Sequence, residues 1–171
     1  MDVDVTLKML LPNEVSTINH LTDAFFESIG YKEAIENPEP ERILMANYCQ
    51  SPFSQVWVGV NKRNYEVGYI WFRIANDVYN KPFLFIEQIY IQPHYRSGFS
   101  IMSRLIEKGV EMAKRTNCQK GIVEVNNIDN QKVWSKLGFK PRKLTMQFTG
   151  DVVDFSSQKI VSWLNKRNGG K

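Results

Sequence analysis

The stretch Ile86-Glu87-Gln88-Ile89-Tyr90-Ile91-Gln92-Pro93-His94-Tyr95-Arg96-Ser97-Gly98-Phe99-Ser100 decides how the rest of the chain is organised. It reads as a strand, a sharp basic loop with a glycine, and the start of a helix. Ser100 to Arg115 has helical periodicity: Ile101, Leu105 and Met112 fall on one stripe, with Met102, Ile106, Val110 and Ala113 beside it. Gly121 to Val125 then reads as a buried strand. A strand–helix–strand run from Phe83 to Val125 is a right-handed crossover, so its two strands lie parallel. A helix that opens after such a loop presents unpaired amides and a positive dipole end, a natural seat for phosphate. Arg96 adds a planar fork of donors.

Upstream of this stretch the spacing predicts a different style of pairing. Gln55–Val60, Val67–Ala75 and Phe83–Ile91 are strand-like runs separated by polar turns at Lys62-Arg63-Asn64 and Asn76–Pro82, an antiparallel meander. Val3 to Leu10 alternates as an edge strand, with Val3, Val5, Leu7 and Met9 on one side. Pro12-Asn13-Glu14 opens a helix through Ile18, Leu21, Phe25 and Ile29 that Gly30 stops. Asn37 to Pro40 reads as a loop before a second helix, Glu41 to Cys49. Downstream, Asp129 to Leu137 is a short helix ended by Gly138, and Leu144 to Phe148 is a last core strand. The result is an α/β domain (α+β by some conventions): a mixed twisted sheet with helices on both faces. Residues 1–150 form the domain; 151–171 add a short helix and a basic tail.

The chain has 171 residues, 43% of them hydrophobic and 23% charged, which is one ordinary domain with a real core. No run of 18 or more apolar residues predicts a membrane span. The acidic Met1-Asp2-Val3-Asp4 start has no signal-peptide character. Two cysteines and two histidines, far apart, do not make a zinc set, so no metal is expected. The cysteines read as two reduced thiols of a cytoplasmic protein. Charge is uneven: residues 1–93 carry 7 basic and 12 acidic side chains, and 94–171 carry 15 and 6. The C-terminal half should therefore attract an anion, a phosphorylated cofactor or a nucleic acid.

Asn127, Trp134, Leu137, Gly138 and Phe139, set in Asn-Ile-Asp-Asn-Gln-Lys-Val-Trp-Ser-Lys-Leu-Gly-Phe, join the Pro-x-Tyr-Arg loop and the element order. Together they resemble the GCN5-related N-acetyltransferase superfamily over roughly residues 3–149. The resemblance implies the acyl-CoA N-acyltransferase fold and transfer of acetyl from acetyl-CoA to a primary amine by direct attack. It implies that the pyrophosphate lies on Arg96, Ser97, Gly98, Phe99, Ser100, Ile101 and Met102. The acetyl and pantetheine groups then meet the backbone of Ile89, Tyr90 and Ile91, where two parallel strands splay. Arg104 joins Arg96 in offsetting phosphate charge, and Asn127 and Trp134 complete the cofactor side.

The family's phosphate loop reads Gln/Arg-x-x-Gly-x-Gly/Ala, and this loop departs from it. One register sets Tyr95, Gly98 and Ser100 in those slots; the other sets Ser97, Ser100 and Met102. Trp134 stands where the family often has a tyrosine that protonates the leaving thiolate; an indole cannot do so, and the thiolate is then protonated by water, by another tyrosine such as Tyr90, or without assistance. Glu87 is the candidate base, or a structural carboxylate paired with a cation on the neighbouring strand. Strict alternation turns Tyr90 away from Glu87. Phe25, Phe26 and Tyr31 would line the acceptor wall, and Glu33, Glu36, Glu39 and Glu41 suit a cationic amine. The acceptor is a small-molecule or protein amine; a homodimer is allowed. A non-catalytic member of the same fold and a nucleic-acid-binding protein are the competing readings, the latter disfavoured because aromatic residues are not interleaved with the basic ones.

Overall fold

The computed structural model describes residues 4–96, 100–125 and 128–141. The chain divides into two compact units, Met1–Lys132 and Val133–Lys171. The first holds a five-stranded sheet ordered β1 (Val5–Leu10), β2 (Ser54–Asn61), β3 (Glu66–Asn76), β4 (Pro82–Ile91) and β5 (Gly121–Val123). The first three pairings are antiparallel and β4–β5 is parallel. This is the meander-plus-crossover that the turn spacing predicts. Tight polar turns permit antiparallel neighbours, whereas a 16-residue helix must intervene before β5 can run parallel. The last expected strand, Leu144–Phe148, and the C-terminal tail lie outside the described residues.

β3 is the central strand, and six consecutive positions, Val67 to Phe72, are buried, so both faces of the sheet are covered. On one face lies α4 (Ser100–Arg115). Its buried stripe, Ile101, Leu105, Gly109 and Met112, follows the predicted period. Gly109 lets the helix settle close to Leu84 and Phe72. The other face carries a 3-10 helix (Pro12–Ile18), α1 (Asn19–Ile29), α2 (Lys32–Glu36) and α3 (Glu39–Tyr48). There Leu10, Val15, Ile18, Leu21, Met45, Val56, Val58, Tyr69 and Trp71 form one buried cluster. Each large side chain fully removed from water contributes about 1.5–3 kcal/mol.

Three local expectations need correction. The helix expected from Pro12 begins as a 3-10 turn and becomes α-helical only at Asn19. Asn37–Pro40 is not all loop: Pro40 sits in the first turn of α3, where its missing N–H costs nothing. In β1 the inward residues are Val5 and Leu10, on opposite faces, and Met9 is exposed. A short α5 (Ile128–Lys136) runs into Gly138, whose φ of +89° closes the helix in the left-handed region. Within the second unit Trp134 is buried and meets Phe139 edge-on, ring centroids 4.9 Å apart. The amide of Phe139 returns to the Trp134 carbonyl at 3.1 Å.

Candidate active site

The parallel ladder between β4 and β5 is short: Leu84, Phe85 and Ile86 pair with Gly121, Ile122 and Val123, and the pairing ends there. β4 continues to Ile91 with only β3 beside it among the described residues. The register against β3 jumps at the same place, from Phe72↔Ile86 to Trp71↔Gln88, which leaves Glu87 as the extra residue of a β-bulge. The Gln92 amide donates to the Val67 carbonyl at 2.9 Å, and this fixes the alternation. The amides of Gln88 and Tyr90 turn toward β3. Those of Ile89 and Ile91 turn toward the side that β5 has left. Past Ile86 the N–H and C=O of Ile89 on that side have no strand partner among the described residues.

The bulge also resets which side chains share a face. Leu84 and Ile86 lie on the α4 side. Gln88 and Tyr90 lie on the α1–α3 side, packed with Tyr69 and Trp71, and Glu87 reaches the same side to pair with Arg73. The strict alternation that separates Tyr90 from Glu87 therefore fails, because one inserted residue moves every later side chain across the sheet. The carboxylate Oε1 accepts a hydrogen bond from Arg73 Nε. The Arg73 guanidinium lies 5.5 Å from the ring of Tyr48 and 5.1 Å from that of Phe85. Glu87 Oε2 has no hydrogen-bond partner among the described residues. Beside it the Tyr69 hydroxyl donates to Gln88 Oε1 at 2.8 Å. Burial, reinforced by the charges of Asp23 and Glu41, holds the Tyr69 phenol well above its ordinary range, so it stays a donor.

At the end of β4 a one-turn 3-10 helix, Pro93–Tyr95, leads to Arg96. Arg96 Nε donates to the Ile91 carbonyl at 2.7 Å, and the guanidinium lies 5.3 Å over the Tyr90 ring. Tyr90 is thus occupied on one side by a cation. Ser97, Gly98, Phe99 and Asn127 lie outside the described residues. Ser100 is exposed at the first position of α4, and Met102 is half-buried. Ile101 has its side chain committed to the core near Gly59 and Val5, so only its backbone can serve a ligand. Arg104 acts electrostatically on Asp4, whose main partner is Lys62 at 2.7 Å.

The expected acceptor wall is partly rearranged. Phe26 is a core residue, 1% exposed, and cannot line a pocket; Phe25 is half-buried and Tyr31 exposed. Among the acids, Glu39 is bound to Arg42 at 2.7 Å, and Arg42 also clamps Asp23 on α1 with two bonds of 2.6 and 2.9 Å. Glu33 and Glu36 are exposed and Glu41 is half-buried. Sequence reasoning overlooks Arg73, Gln88 and Asn61. Arg73 has a signal, because an apolar strand carrying Glu87 calls for a cation on the strand beside it; Gln88 has none, since Phe83 to Ile86 are apolar at every position and no break in alternation announces the bulge. Both cysteines, Cys49 and Cys118, are free thiols.

The model of the acetyltransferase (GNAT) family matches residues 16–139. No curated protein sequence matches the chain. Among solved structures, the aminoglycoside N-acetyltransferase AAC(6')-Iy, in complex with a bisubstrate analog of coenzyme A, superposes with a TM-score of 0.68 at 15% identity, covering 86% of this chain and 98% of its own. A ribosomal-protein-alanine N-acetyltransferase from Brucella melitensis biovar Abortus 2308 gives 0.62 at 13% identity, with 84% and 99% covered. The aminoglycoside 6'-N-acetyltransferase AAC(6')-Ih from Acinetobacter baumannii gives 0.68 at 16%, with 86% and 98% covered.

Proposed function

We propose, from the premise that this chain belongs to the acetyltransferase (GNAT) family, that it moves an acetyl group from acetyl-CoA directly onto a primary amine of a small, cationic acceptor. Membership makes it an acetyl-CoA-dependent N-acetyltransferase; the acceptor class and the residue roles are our reading. The observation that carries them is the open edge of β4 beyond Ile86, flanked by Arg96. Unpaired backbone suits the amides of an extended arm, and a cation with its terminal nitrogens free among the described residues suits a phosphate, so the residues fit the cofactor. When bound, acetyl-CoA supplies the thioester carbon that the amine attacks.

This chain's own residues then divide the work. Ile89 offers its N–H and C=O along the open edge, while Arg96, steadied by Ile91 and Tyr90, answers phosphate charge. Glu87 presents Oε2 to the acceptor ammonium or to a water that relays its proton, and Arg73 fixes the direction of that oxygen by holding Oε1. Tyr90 is the nearby hydroxyl for the departing thiolate. Glu33, Glu36 and Glu41 favour an acceptor with several ammonium groups, in keeping with the aminoglycoside acetyltransferases among the similar structures. The two free thiols favour a reducing compartment such as the cytoplasm. Among the described residues no helix is long and apolar enough to cross a membrane.

Two measurements test the reading. Calorimetry should detect acetyl-CoA binding, and Arg96→Glu should weaken it by at least about tenfold through loss of a charge-assisted contact. Thiol release with a panel of amino sugars, polyamines and peptides should rank the polyamines and amino sugars first. No heat at millimolar acetyl-CoA, or a preference for neutral peptides, refutes it.

A further inference from the structure

We infer that Asn61 and Tyr95 form a positioning device that aims Arg96 at the cofactor, an inference that rests on the acetyl-transfer reading above. Tyr95 closes the 3-10 turn and immediately precedes Arg96. Its half-buried hydroxyl accepts a hydrogen bond from Asn61 Nδ2 at 3.1 Å, across 34 positions of sequence. Asn61 is itself immobilised at the end of β2. Its Oδ1 accepts the amides of Arg63 at 2.9 Å and Tyr65 at 3.1 Å. Its own N–H donates to the Tyr65 carbonyl at 3.0 Å, and its carbonyl accepts the Asn64 amide at 2.9 Å. Four bonds thus tie Asn61 into the β2–β3 turn, and its remaining donor is aimed at Tyr95.

A second tether runs in parallel. The Gln92 amide reaches Val67, and Gln92 Nε2 lies 3.4 Å from both the Tyr65 hydroxyl and the Glu66 carbonyl. The segment 92–96 is therefore held by the β2–β3 turn as well as by β4. Arg96 spends Nε on Ile91 and lays the face of its guanidinium over the Tyr90 ring. The direction of the terminal nitrogens then depends on where the backbone of residues 95 and 96 lies, and that is what the Asn61–Tyr95 bond sets. A single-turn helix needs no such bond for its own closure, since the Tyr95 and Arg96 amides already return to Gln92 and Pro93 at 2.9 and 3.2 Å.

Calorimetric titration with coenzyme A is the test, read as Kd and needing no turnover. Tyr95→Phe should raise Kd about fivefold, the effect of one hydrogen bond, and Asn61→Ala should do at least as much. The double variant should be no worse than Asn61→Ala alone, because the bond can be lost only once. Asp77→Asn, which loosens the turn at the opposite end of β4, controls for general destabilisation and should leave Kd unchanged while lowering Tm. Hydrogen exchange of the apo protein should quicken at residues 92–96 in Tyr95→Phe. A wild-type Kd in Tyr95→Phe, additive single effects, or an equal loss in Asp77→Asn overturns the inference alone. A wild-type protein that binds no coenzyme A overturns both it and the acetyl-transfer reading.

Discussion

Gly68 lies where β3 faces the functional end of β4, opposite Ile91. A Cβ added there would stand 2.8 Å from the Tyr90 carbonyl oxygen, 3.0 Å from Ile91 Cγ1 and 3.1 Å from Ile91 Cα. Two of those three atoms are backbone, so no side-chain rotation relieves the contact and the strands must move apart. Overpacking of a filled core costs about 1–3 kcal/mol, and a clash with backbone belongs at the top, about 2–3 kcal/mol. Gly109 is the contrast: its added Cβ meets Leu84 Cδ2 at 3.3 Å and Phe72 Cδ1 at 3.4 Å, side-chain ends that can yield. There alanine also regains about 1 kcal/mol of helix propensity. Gly109→Ala should fall within about 1 kcal/mol of wild type, whereas Gly68→Ala should lose about 5–10 °C in Tm. Urea unfolding of the three proteins measures this, with constant slope confirming a common unfolded state. Gly68→Ala should also weaken coenzyme A binding, because Tyr90 and Ile91 are displaced. A Gly68→Ala protein as stable as wild type, or less perturbed than Gly109→Ala, refutes the close-approach argument.

Other expectations concern charge. Glu87→Gln should lower kcat by about a hundredfold, in the range of a lost general base, with coenzyme A affinity retained; an unaltered pH–rate profile removes Glu87 from the chemistry. Arg73→Met should reduce kcat through misdirection of Glu87, and Arg73→Lys should restore part of it, as stopped or steady-state assays of thiol release would show. Asp77 is held down to about 2 by Lys120 first, then by the amides of Lys81 and Tyr79. Its folded-state value lies below its unfolded one, so its contribution is complete above pH 4 and disappears as pH falls through about 2. Thermal melts across that window should therefore converge for wild type and Asp77→Asn at the acid end and separate at neutral pH; parallel curves contradict the assignment.

The crossover and the meander were legible because both are written in hydrophobic period. The α4 stripe repeats at Ile101, Leu105 and Met112, and the strands are bounded by polar turns. α2 was not, since five residues next to Asn37-Pro38 carry too few turns to show a period. Glu87 is legible as an oddity, a carboxylate in an apolar strand, and so is the kind of partner it takes, a cation on the neighbouring strand; which cation it is, Arg73 opposite Phe85, follows only from the β3–β4 register. Strict alternation misplaces Tyr90, because the bulge at Glu87 carries its side chain to the α1–α3 side. Propensity scales describe residues singly, and a one-residue insertion in a ladder leaves no mark except a break in alternation. Phe26 looked like a pocket residue because its neighbour Phe25 shares its chemistry; which of the two points inward is set by the packing angle of α1, a tertiary matter.

The early end of β5 has a geometric consequence of its own. Residues 87–91 rise roughly 16 Å at about 3.3 Å each, and Val123 is the point from which that span is measured. A partner that uses the whole span has to be slender, stretched out and studded with amide-like groups at peptide intervals. The register at Gly121–Val123 then acts as a ruler: lengthening that ladder by two rungs would shorten the berth by about 7 Å and exclude the inner end of such a guest while leaving Arg96 untouched.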